Sequence, residues 1–347
     1  MKVAIITDQH FGCRKNSKLF HDYFLKFYED VFFPVLYSEG IDTVIDMGDT
    51  FDSRKGIDFA ALQWAKKNYF DRLKEMGITV HTIVGNHTAY YKNTNDVNAV
   101  DLLLKEYDNV KTYSEVTSIM VGNCNITLVP WINRDNKEMS IGLINKSRSP
   151  ICMGHLELNG FRATPGHMME HGMEWSIFKK FEKTFSGHYH CRSNEENVYY
   201  LGNPYEMFWN DGNDPNRGFH LFDTETLEHT PINNPYRLHH LVYYNDTDYQ
   251  LFYARELENK IVKVIVKEKS DITKFEKFID KLYAANVAEL KIVENFQIQE
   301  AADFEAFESE DTISVLNRYI EESEIKLDKS KVQKMVQDIY QEACELI

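Results

Sequence analysis

The sequence predicts a mixed α/β (α+β) protein: a two-sheet sandwich flanked by helices, followed by a small α/β module and C-terminal helices. Three observations predict this architecture. Apolar strands and amphipathic helices alternate up to residue 84, as they do around a largely parallel sheet. Short strands at close spacing follow from about residue 110, which is typical of sheet-on-sheet packing. A strand–helix–strand pattern returns between residues 261 and 293.

Length and composition limit the class of protein. A chain of 347 residues is long enough for two or three domains, and its 43% hydrophobic content removes any need for disulfides. The five cysteines are scattered and never form a Cys-x-x-Cys pair, which favours a reducing compartment. Neither a signal peptide nor an 18-residue apolar run is evident. We therefore expect a cytoplasmic protein with no membrane contact.

The first elements follow from hydrophobic periodicity. Residues 3–6 and 43–45 read as buried strands, and residues 78–84 as a third. Residues 18–36 and 59–76 have the apolar spacing of amphipathic helices. Ligands of parallel sheets gather at the carboxyl ends of the strands, so the residues that follow each strand are the candidates for a site.

The second part of the chain favours short strands with loops between them. A run rich in Pro and Asn at residues 230–235 marks the end of the first domain, which we place at residues 1–235. The predicted strands of this part cover residues 118–121, 125–129, 150–154, 184–187, 198–201 and 218–222.

Three further segments follow the first domain. Residues 236–299 form a small module, with strands at 261–267 and 290–293 around a helix at 272–284. The acidic residues 300–312 read as a solvated linker, and residues 313–347 have helical periodicity. The apolar faces of these last helices pack either on a partner or on the body of the chain itself.

Polar side chains recur where the predicted strands end. Two divalent cations a few ångström apart need hard oxygen donors, imidazoles and one bridging group. Taken one at a time, these residues have ordinary interpretations as a loop pair, a turn or a polar strand edge. In this order and at these positions, they indicate a two-metal site. The candidate ligands are Asp8, His10, Asp49, Asn86, His155, His188 and His190.

The motifs that contain these residues resemble the calcineurin-like metallophosphoesterase superfamily over roughly residues 1–220. They are Asp8-Gln9-His10, Gly48-Asp49, Gly85-Asn86-His87, Gly154-His155 and Gly187-His188-Tyr189-His190. Within that superfamily, Gly48-Asp49-Thr50-Phe51-Asp52 is similar to the SbcD-type DNA-repair nucleases rather than to the protein phosphatases. Residues 51–55, 81–87 and 154–161 are similar to the recombination endonuclease/exonuclease subunits of T-even-like bacteriophages, and this resemblance extends into the tail.

The resemblance assigns roles to these residues. It implies that Asp49 bridges two metal ions, with Asp8, His10 and His190 on one and Asn86, His155 and His188 on the other. His87 is then the catalytic acid that protonates the leaving oxygen, while the metals supply the activated water and offset the added charge. The metals implied are manganese by preference, with magnesium as a possibility.

One position departs from the pattern of the superfamily. The motif usually continues Gly-Asn-His-Asp or Gly-Asn-His-Glu, whereas Thr88 follows His87 here. A carboxylate at this position would orient His87 and raise its pKa. Its absence either weakens acid catalysis or moves the task to another group.

The resemblance also implies partners. The module becomes a DNA-binding cap, and the C-terminal helices become the dock for the coiled coil of an SbcC-type ATPase. The early aromatic residues Phe20, Phe24 and Phe27 belong either to a homodimer interface or to the core. The module's lysines are either DNA contacts or a solvated face: Lys260, Lys263, Lys267, Lys269, Lys274, Lys277 and Lys281.

The sequence therefore predicts a two-metal DNA nuclease, acting as a double-strand exonuclease and a single-strand endonuclease in recombination and repair. If the chain is phage-encoded, its place is the host cytoplasm. The net charge of −15 excludes a protein that coats nucleic acid through bulk positive charge, but not an enzyme that cuts it. The alternatives are a phosphoesterase for small-molecule or protein phosphates, and a non-catalytic scaffold for the ATPase.

Overall fold

The structure is a computed structural model that describes residues 1–164 and 167–294, with the single positions 320, 329, 332, 333 and 335. The strands, numbered in chain order, are β1 (Lys2–Ile6), β2 (Thr43–Asp46), β3 (Thr79–Ile83), β4 (Val110–Tyr113), β5 (Thr117–Val121), β6 (Cys124–Val129), β7 (Ile151–His155), β8 (Arg162–Thr164), β9 (His167–Met168), β10 (Lys183–Gly187), β11 (Ser193–Glu195), β12 (Val198–Tyr200), β13 (Gly218–Asp223), β14 (His229–Asn233), β15 (His239–Tyr243), β16 (Ile261–Val266) and β17 (Glu289–Glu294).

The helices alternate with the early strands and then become sparse. The α-helices are α1 (Lys18–Phe27), α2 (Phe33–Ser38), α3 (Phe59–Ala65), α4 (Asp71–Glu75), α5 (Ala99–Leu103), α6 (Lys137–Lys146) and α7 (Ile272–Ala284). Single π-helical turns at Tyr28–Phe32 and Lys66–Phe70 join α1 to α2 and α3 to α4. The helices predicted at residues 18–36 and 59–76 are therefore each continuous, with one wider turn inside.

The first sheet has the strand order β14-β13-β1-β2-β3-β4. Strands β1 to β4 run parallel, and β13 and β14 are added antiparallel at one edge. The Pro and Asn-rich run at residues 230–235 forms most of β14, where Pro231 is tolerated because an edge strand leaves one side of its backbone unpaired. The largely parallel sheet predicted from the early alternation is confirmed.

The second sheet has the order β11-β12-β10-β7-β6-β5 and is parallel from β6 through β7 and β10 to β12. Its inner face packs on the first sheet: Ile5 and Ile45 of one sheet share a buried cluster with Ile126, Met153 and Phe185 of the other. The outer face of the first sheet packs under α1 to α5. The structure thus has the predicted two-sheet sandwich flanked by helices.

The aromatic residues of α1 lie inside this sandwich rather than on its surface. Phe24 and Phe27 are fully buried and Phe20 nearly so. Phe24 stacks on Tyr205 with the ring centroids 3.6 Å apart. Of the two interpretations left open by the sequence, the core position is therefore the correct one for these three side chains, and they are not available to a dimer interface.

A third sheet, ordered β15-β16-β17 and parallel throughout, packs against α7. It has a hydrophobic cluster of its own that contains Val262, Val264, Phe278 and Leu282. The linker and helices predicted at residues 300–312 and 313–347 lie outside the described ranges, apart from the five single positions. No helix among the residues described has the length and apolarity that crossing a bilayer requires.

Candidate metal centre

The candidate ligands come from both large sheets and meet at the carboxyl ends of their parallel strands. Asp8 and His10 follow β1, Asp49 follows β2, and Asn86 follows β3 in the first sheet. In the second sheet, His155 ends β7, and His188 and His190 follow β10. Because the two sheets pack face to face, their strand ends converge, and every ligand predicted from the sequence reaches one place.

The side chains form two adjoining groups. The ligand atoms of Asp8, His10 and His190 lie within 4.8 Å of one another, as do those of Asp49, His155 and His188. The two groups adjoin at Asp49, because a further group of the same size contains His10, Asp49 and His87. His10 Nε2 lies 3.2 Å from His190 Nε2 and 3.9 Å from a carboxylate oxygen of both Asp8 and Asp49.

Asn86 completes the second group through its amide oxygen. Asn86 Oδ1 lies 2.9 Å from both His155 Nε2 and His188 Nδ1. His155 Nδ1 donates to the carbonyl oxygen of Met47 at 2.9 Å, which directs Nε2 toward Asp49 Oδ2, 3.2 Å away. A backbone bond of this kind selects the ring nitrogen that is left for a metal.

Two glycines of the motifs are required by close approach. A Cβ at Gly85 would collide with the carboxylate and backbone nitrogen of Asp49. A Cβ at Gly187 would collide with Thr7 Oγ1 and stand 2.9 Å from Asp8 Oδ2. Any larger residue at either position would displace a candidate ligand, which explains why glycine precedes Asn86 and His188.

Four candidate ligands have backbone conformations that L-residues rarely adopt. The φ angles of Asp8, His10, Asp49 and His188 are 53°, 46°, 52° and 84°. Each such residue costs on the order of 1 kcal/mol or more, and conformations of this kind concentrate at functional sites. At these four positions the unusual backbone conformation directs the side chain from the strand end toward the other candidate ligands.

The charged groups of the site shift the pKa values of one another. Burial alone would raise the pKa of Asp49, but His155, His10 and His87 outweigh it and hold that pKa below its ordinary value. Burial alone would lower the pKa of His155, but Asp49 outweighs it and raises this pKa to about 9. Burial, reinforced by the positive charge of His155, lowers the pKa of His188 to about 3.

Asp46 is a buried acid that sequence reasoning did not assign to the site. Its carboxylate accepts hydrogen bonds from Gln9 Nε2 at 2.9 Å, Thr50 Oγ1 at 2.7 Å and the Gly48 backbone at 3.2 Å. Burial raises its pKa to about 7. Asp46 thereby ties the loop after β1 to the loop after β2. The signal in the sequence was an acid at the end of an otherwise apolar run.

His87 takes its orientation from Asp52 rather than from its neighbour in the chain. His87 Nδ1 donates to the backbone carbonyl of Asp52 at 2.6 Å, and the His87 backbone N–H donates to Asp49 Oδ1 at 2.8 Å. Thr88 is buried and its hydroxyl bonds to the backbone of Gly85. The backbone carbonyl of Asp52 therefore orients His87, which is the role expected of a carboxylate at position 88.

A buried ion pair supports the segment that carries His190. Arg217 contacts Asp211 at 3.0 Å, and its Nη1 donates to the backbone carbonyl of His190 at 3.2 Å. Asp211 in turn accepts the backbone N–H groups of Met207 and Phe208. Arg217 thereby holds the backbone at His190 in place from outside the ligand set.

The donor set fits a pair of divalent cations. Two carboxylates, one amide oxygen and four imidazoles offer the oxygen and nitrogen ligands that manganese accepts. Imidazole nitrogens lie 3.2 to 3.9 Å from one another and from the carboxylates, a spacing that ligand atoms of a shared cation could keep. This arrangement of fold and site defines a metal-dependent phosphoesterase.

Comparison with known proteins agrees with this class. Residues 1–254 match the calcineurin-like phosphoesterase family. The chain is also 35% identical over 327 residues to "Exonuclease subunit 1" of Enterobacteria phage T4, which covers 92% of both chains. The chain therefore belongs to the calcineurin-like phosphoesterase family, and it is an enzyme, a metal-dependent phosphodiesterase.

Solved structures of low similarity also match. A dimetal phosphatase from Danio rerio is 12% identical, with a TM-score of 0.38 over 64% of this chain and 91% of that one. A purple acid phosphatase from yellow lupin seeds is 13% identical, with a TM-score of 0.35 over 68% of this chain and 46% of that one.

Proposed function

We propose that this protein is a manganese-dependent DNA nuclease that hydrolyses phosphodiester bonds, as an exonuclease on double strands and an endonuclease on single strands. The observation that carries the proposal is the similarity along 92% of the chain to a protein named as an exonuclease subunit. The candidate site supports it, because the ligand-type residues and His87 lie together at the strand ends.

The residues have distinct tasks in this proposal. Asp49 would be shared by the two metal positions, while Asp8, His10 and His190 would hold one metal and Asn86, His155 and His188 the other. When bound, the metals supply an activated water and offset the charge that develops on the phosphate. The Nδ1–H of His87 is engaged by the Asp52 carbonyl, so the opposite nitrogen, Nε2, is the atom that gives a proton to the leaving oxygen.

We further propose that the protein works in recombination and repair within a complex, in the cytoplasm of a host cell. The relative's name describes a subunit, and an SbcC-type coiled-coil ATPase is the partner that the motif resemblance favours. Residues 236–299 serve as a DNA-binding cap on this view, with residues 300–312 as linker and 313–347 as the ATPase dock. A homodimer is compatible with this proposal if its interface does not involve Phe20, Phe24 and Phe27.

The experiment compares two variants on linear DNA with manganese. Asp49→Asn should lose metal and cleavage together, because both metal positions share this carboxylate. His87→Ala should keep its metal and lose cleavage by roughly 100-fold to 10,000-fold, the usual contribution of a general acid. Metal content by mass spectrometry and cleavage of end-labelled DNA separate the two effects.

Three outcomes would contradict the proposal. An Asp49→Asn variant that cuts like the wild type would refute the assignment of the site. A wild-type protein that hydrolyses a phosphomonoester faster than DNA would favour a phosphatase for small-molecule or protein phosphates. A wild-type protein that takes up no manganese at saturating supply would favour a scaffold for the ATPase.

A further inference from the structure

A cavity of about 480 Å³ lies next to the candidate metal centre, a size typical of small-molecule sites. Trp131 belongs to both: it lines the cavity, and its ring centroid lies 5.1 Å from that of His188 and 6.2 Å from that of His155. Leu156, the residue after His155, lines the cavity as well. A ligand in the cavity would therefore contact the same residues that border the metal positions.

The loop that carries Trp131 is held in place by hydrogen bonds within the protein. The Trp131 backbone N–H donates to Val84 at 2.7 Å, and its carbonyl accepts from Asn95 Nδ2 at 2.9 Å and Asn136 Nδ2 at 3.0 Å. Asn133 is buried and donates to Asn95 Oδ1 at 3.0 Å. An aromatic ring on a fixed backbone loses less conformational entropy on binding than one on a mobile loop.

The charged residues that line the cavity indicate which class of ligand it binds. Arg134 and Lys137 are exposed cations at its wall, in a chain whose net charge is −15. Glu157 is a carboxylate on the same wall, and Met173 adds an apolar surface. A bare phosphate needs neither a ring nor a carboxylate. A nucleotide within a strand uses all of them: a phosphate of the flanking backbone meets the cations, the exocyclic amino group of adenine, cytosine or guanine meets Glu157, and the base has a flat apolar face.

We propose that this cavity receives one unpaired nucleobase of a DNA strand, stacked on Trp131, while the phosphate next to that base lies at the metal centre. The inference deepens the proposed nuclease function and rests on it. Trp131 is a binding residue in this scheme, and Arg134 and Lys137 hold the flanking backbone. An unpaired base is needed, because a base inside a duplex has no exposed face to stack on a protein ring.

The test is a double-mutant cycle in which the Trp131 side chain and the base are removed separately and together. Single-stranded oligonucleotides carry an abasic residue at each position in turn, and their binding is measured by fluorescence anisotropy with metals chelated. Their cleavage is then measured with manganese. With the wild type, loss of the base at one position should weaken binding roughly 5-fold to 100-fold. With Trp131→Ala, the intact oligonucleotide should bind as weakly, and removing the base should have no further effect.

Two controls accompany the cycle. Trp131→Phe keeps an aromatic face and should retain most of the base dependence, which separates stacking from misfolding. Arg148→Ala removes an exposed cation near the start of β7, the strand end opposite His155, and should bind like the wild type. Arg134→Ala with Lys137→Ala should weaken binding of intact and abasic strands alike.

The outcomes distinguish a failure of the cavity assignment from a failure of the proposed nuclease function. A wild type that cuts DNA while Trp131→Ala keeps the full abasic penalty overturns the cavity assignment and leaves the nuclease function standing. A wild type that shows no abasic penalty at any position overturns it as well. A wild type with manganese that cuts no DNA overturns the nuclease function, and the cavity assignment with it.

Discussion

At the scale of single residues, Asp52 acts on two histidines of the site without belonging to the ligand set. Its carboxylate oxygen lies 3.1 Å from His10 Nδ1, and its backbone carbonyl accepts the Nδ1–H of His87. Groups in such positions fix the orientation and tautomer of a ligating imidazole. Asp52 therefore links a candidate metal ligand to the candidate acid.

We predict that Asp52→Ala lowers manganese affinity by roughly 10-fold to 100-fold, because His10 loses the carboxylate that orients it. The carbonyl that holds His87 remains, so cleavage at saturating manganese should fall much less. Isothermal titration calorimetry measures the first effect and DNA cleavage the second. Asp108→Asn, in the exposed loop before β4, is the control and should bind manganese like the wild type. Unchanged affinity in Asp52→Ala would contradict this role.

Among the elements, β13 packs on the helices with one face and on the second sheet with the other, and it carries the buried His220. Its neighbours Phe219 and Leu221 face the helices, whereas Phe222 faces the second sheet. His220 is buried, pairs in register with Ile5 of β1, and stacks on His229 with the ring centroids 5.5 Å apart. Burial, with the positive charges of Arg192 and His229, lowers the pKa of His220 to about 3.

This pKa predicts a pH dependence of stability. Between about pH 6.5 and pH 3 the unfolded chain protonates His220 and the folded chain does not, so the free energy of unfolding falls as the pH falls through this window. The contribution of His220 to this fall should be on the order of 1 to 2 kcal/mol between pH 6.5 and pH 5. Urea unfolding of His220→Leu should show a smaller loss than the wild type.

The exposed His171 provides the matched control. His171→Leu should reproduce the wild-type loss of stability over the same pH range. If His220→Leu and the wild type lost equal stability between pH 6.5 and pH 5, a neutral buried His220 would be the wrong description of the strand.

At the scale of the whole molecule, Glu206 joins the sandwich to the third sheet. Its buried carboxylate accepts the backbone N–H groups of Leu238 at 2.9 Å and His239 at 2.7 Å, lies 3.1 Å from His239 Nδ1, and pairs with Arg237. Burial would raise the pKa of Glu206, but the hydrogen bonds of His239 and the charge of Arg237 keep it below its ordinary value. Leu238 meanwhile belongs to the core of the sandwich.

We predict that Glu206→Ala costs about 3 to 5 kcal/mol in the free energy of unfolding, because buried hydrogen-bonded groups lose their partner. Hydrogen exchange should accelerate first in β15, the strand that begins at His239. The control is Glu39→Ala, which breaks a surface ion pair with Lys2 and should cost less than about 1 kcal/mol. A Glu206→Ala variant with wild-type exchange in β15 would show that the apolar contacts alone hold this junction.

Much of the fold was predictable from periodicity, because long apolar patterns leave few alternatives. The helix at residues 272–284 was predicted with the ends the structure has. Strand β15 was not predicted, since its sequence His-His-Leu-Val-Tyr alternates weakly and its pairing comes from β16, eighteen residues later. Strand β4 was missed for the same reason, because it is defined by pairing with β3.

The chemistry available to the site was evident from the sequence, because ligand-type residues follow the strands in an order that identifies the family. This was possible because each motif is local, with a strand, a glycine and a ligand within a few positions. Which of these residues contact one another became evident only from the folded chain. The fold brings Asp8 to His188, which is 180 positions away in the chain. It also orients His87 through the carbonyl of Asp52 and places Trp131 beside His188. Such contacts depend on how two sheets face each other, and no local pattern records that.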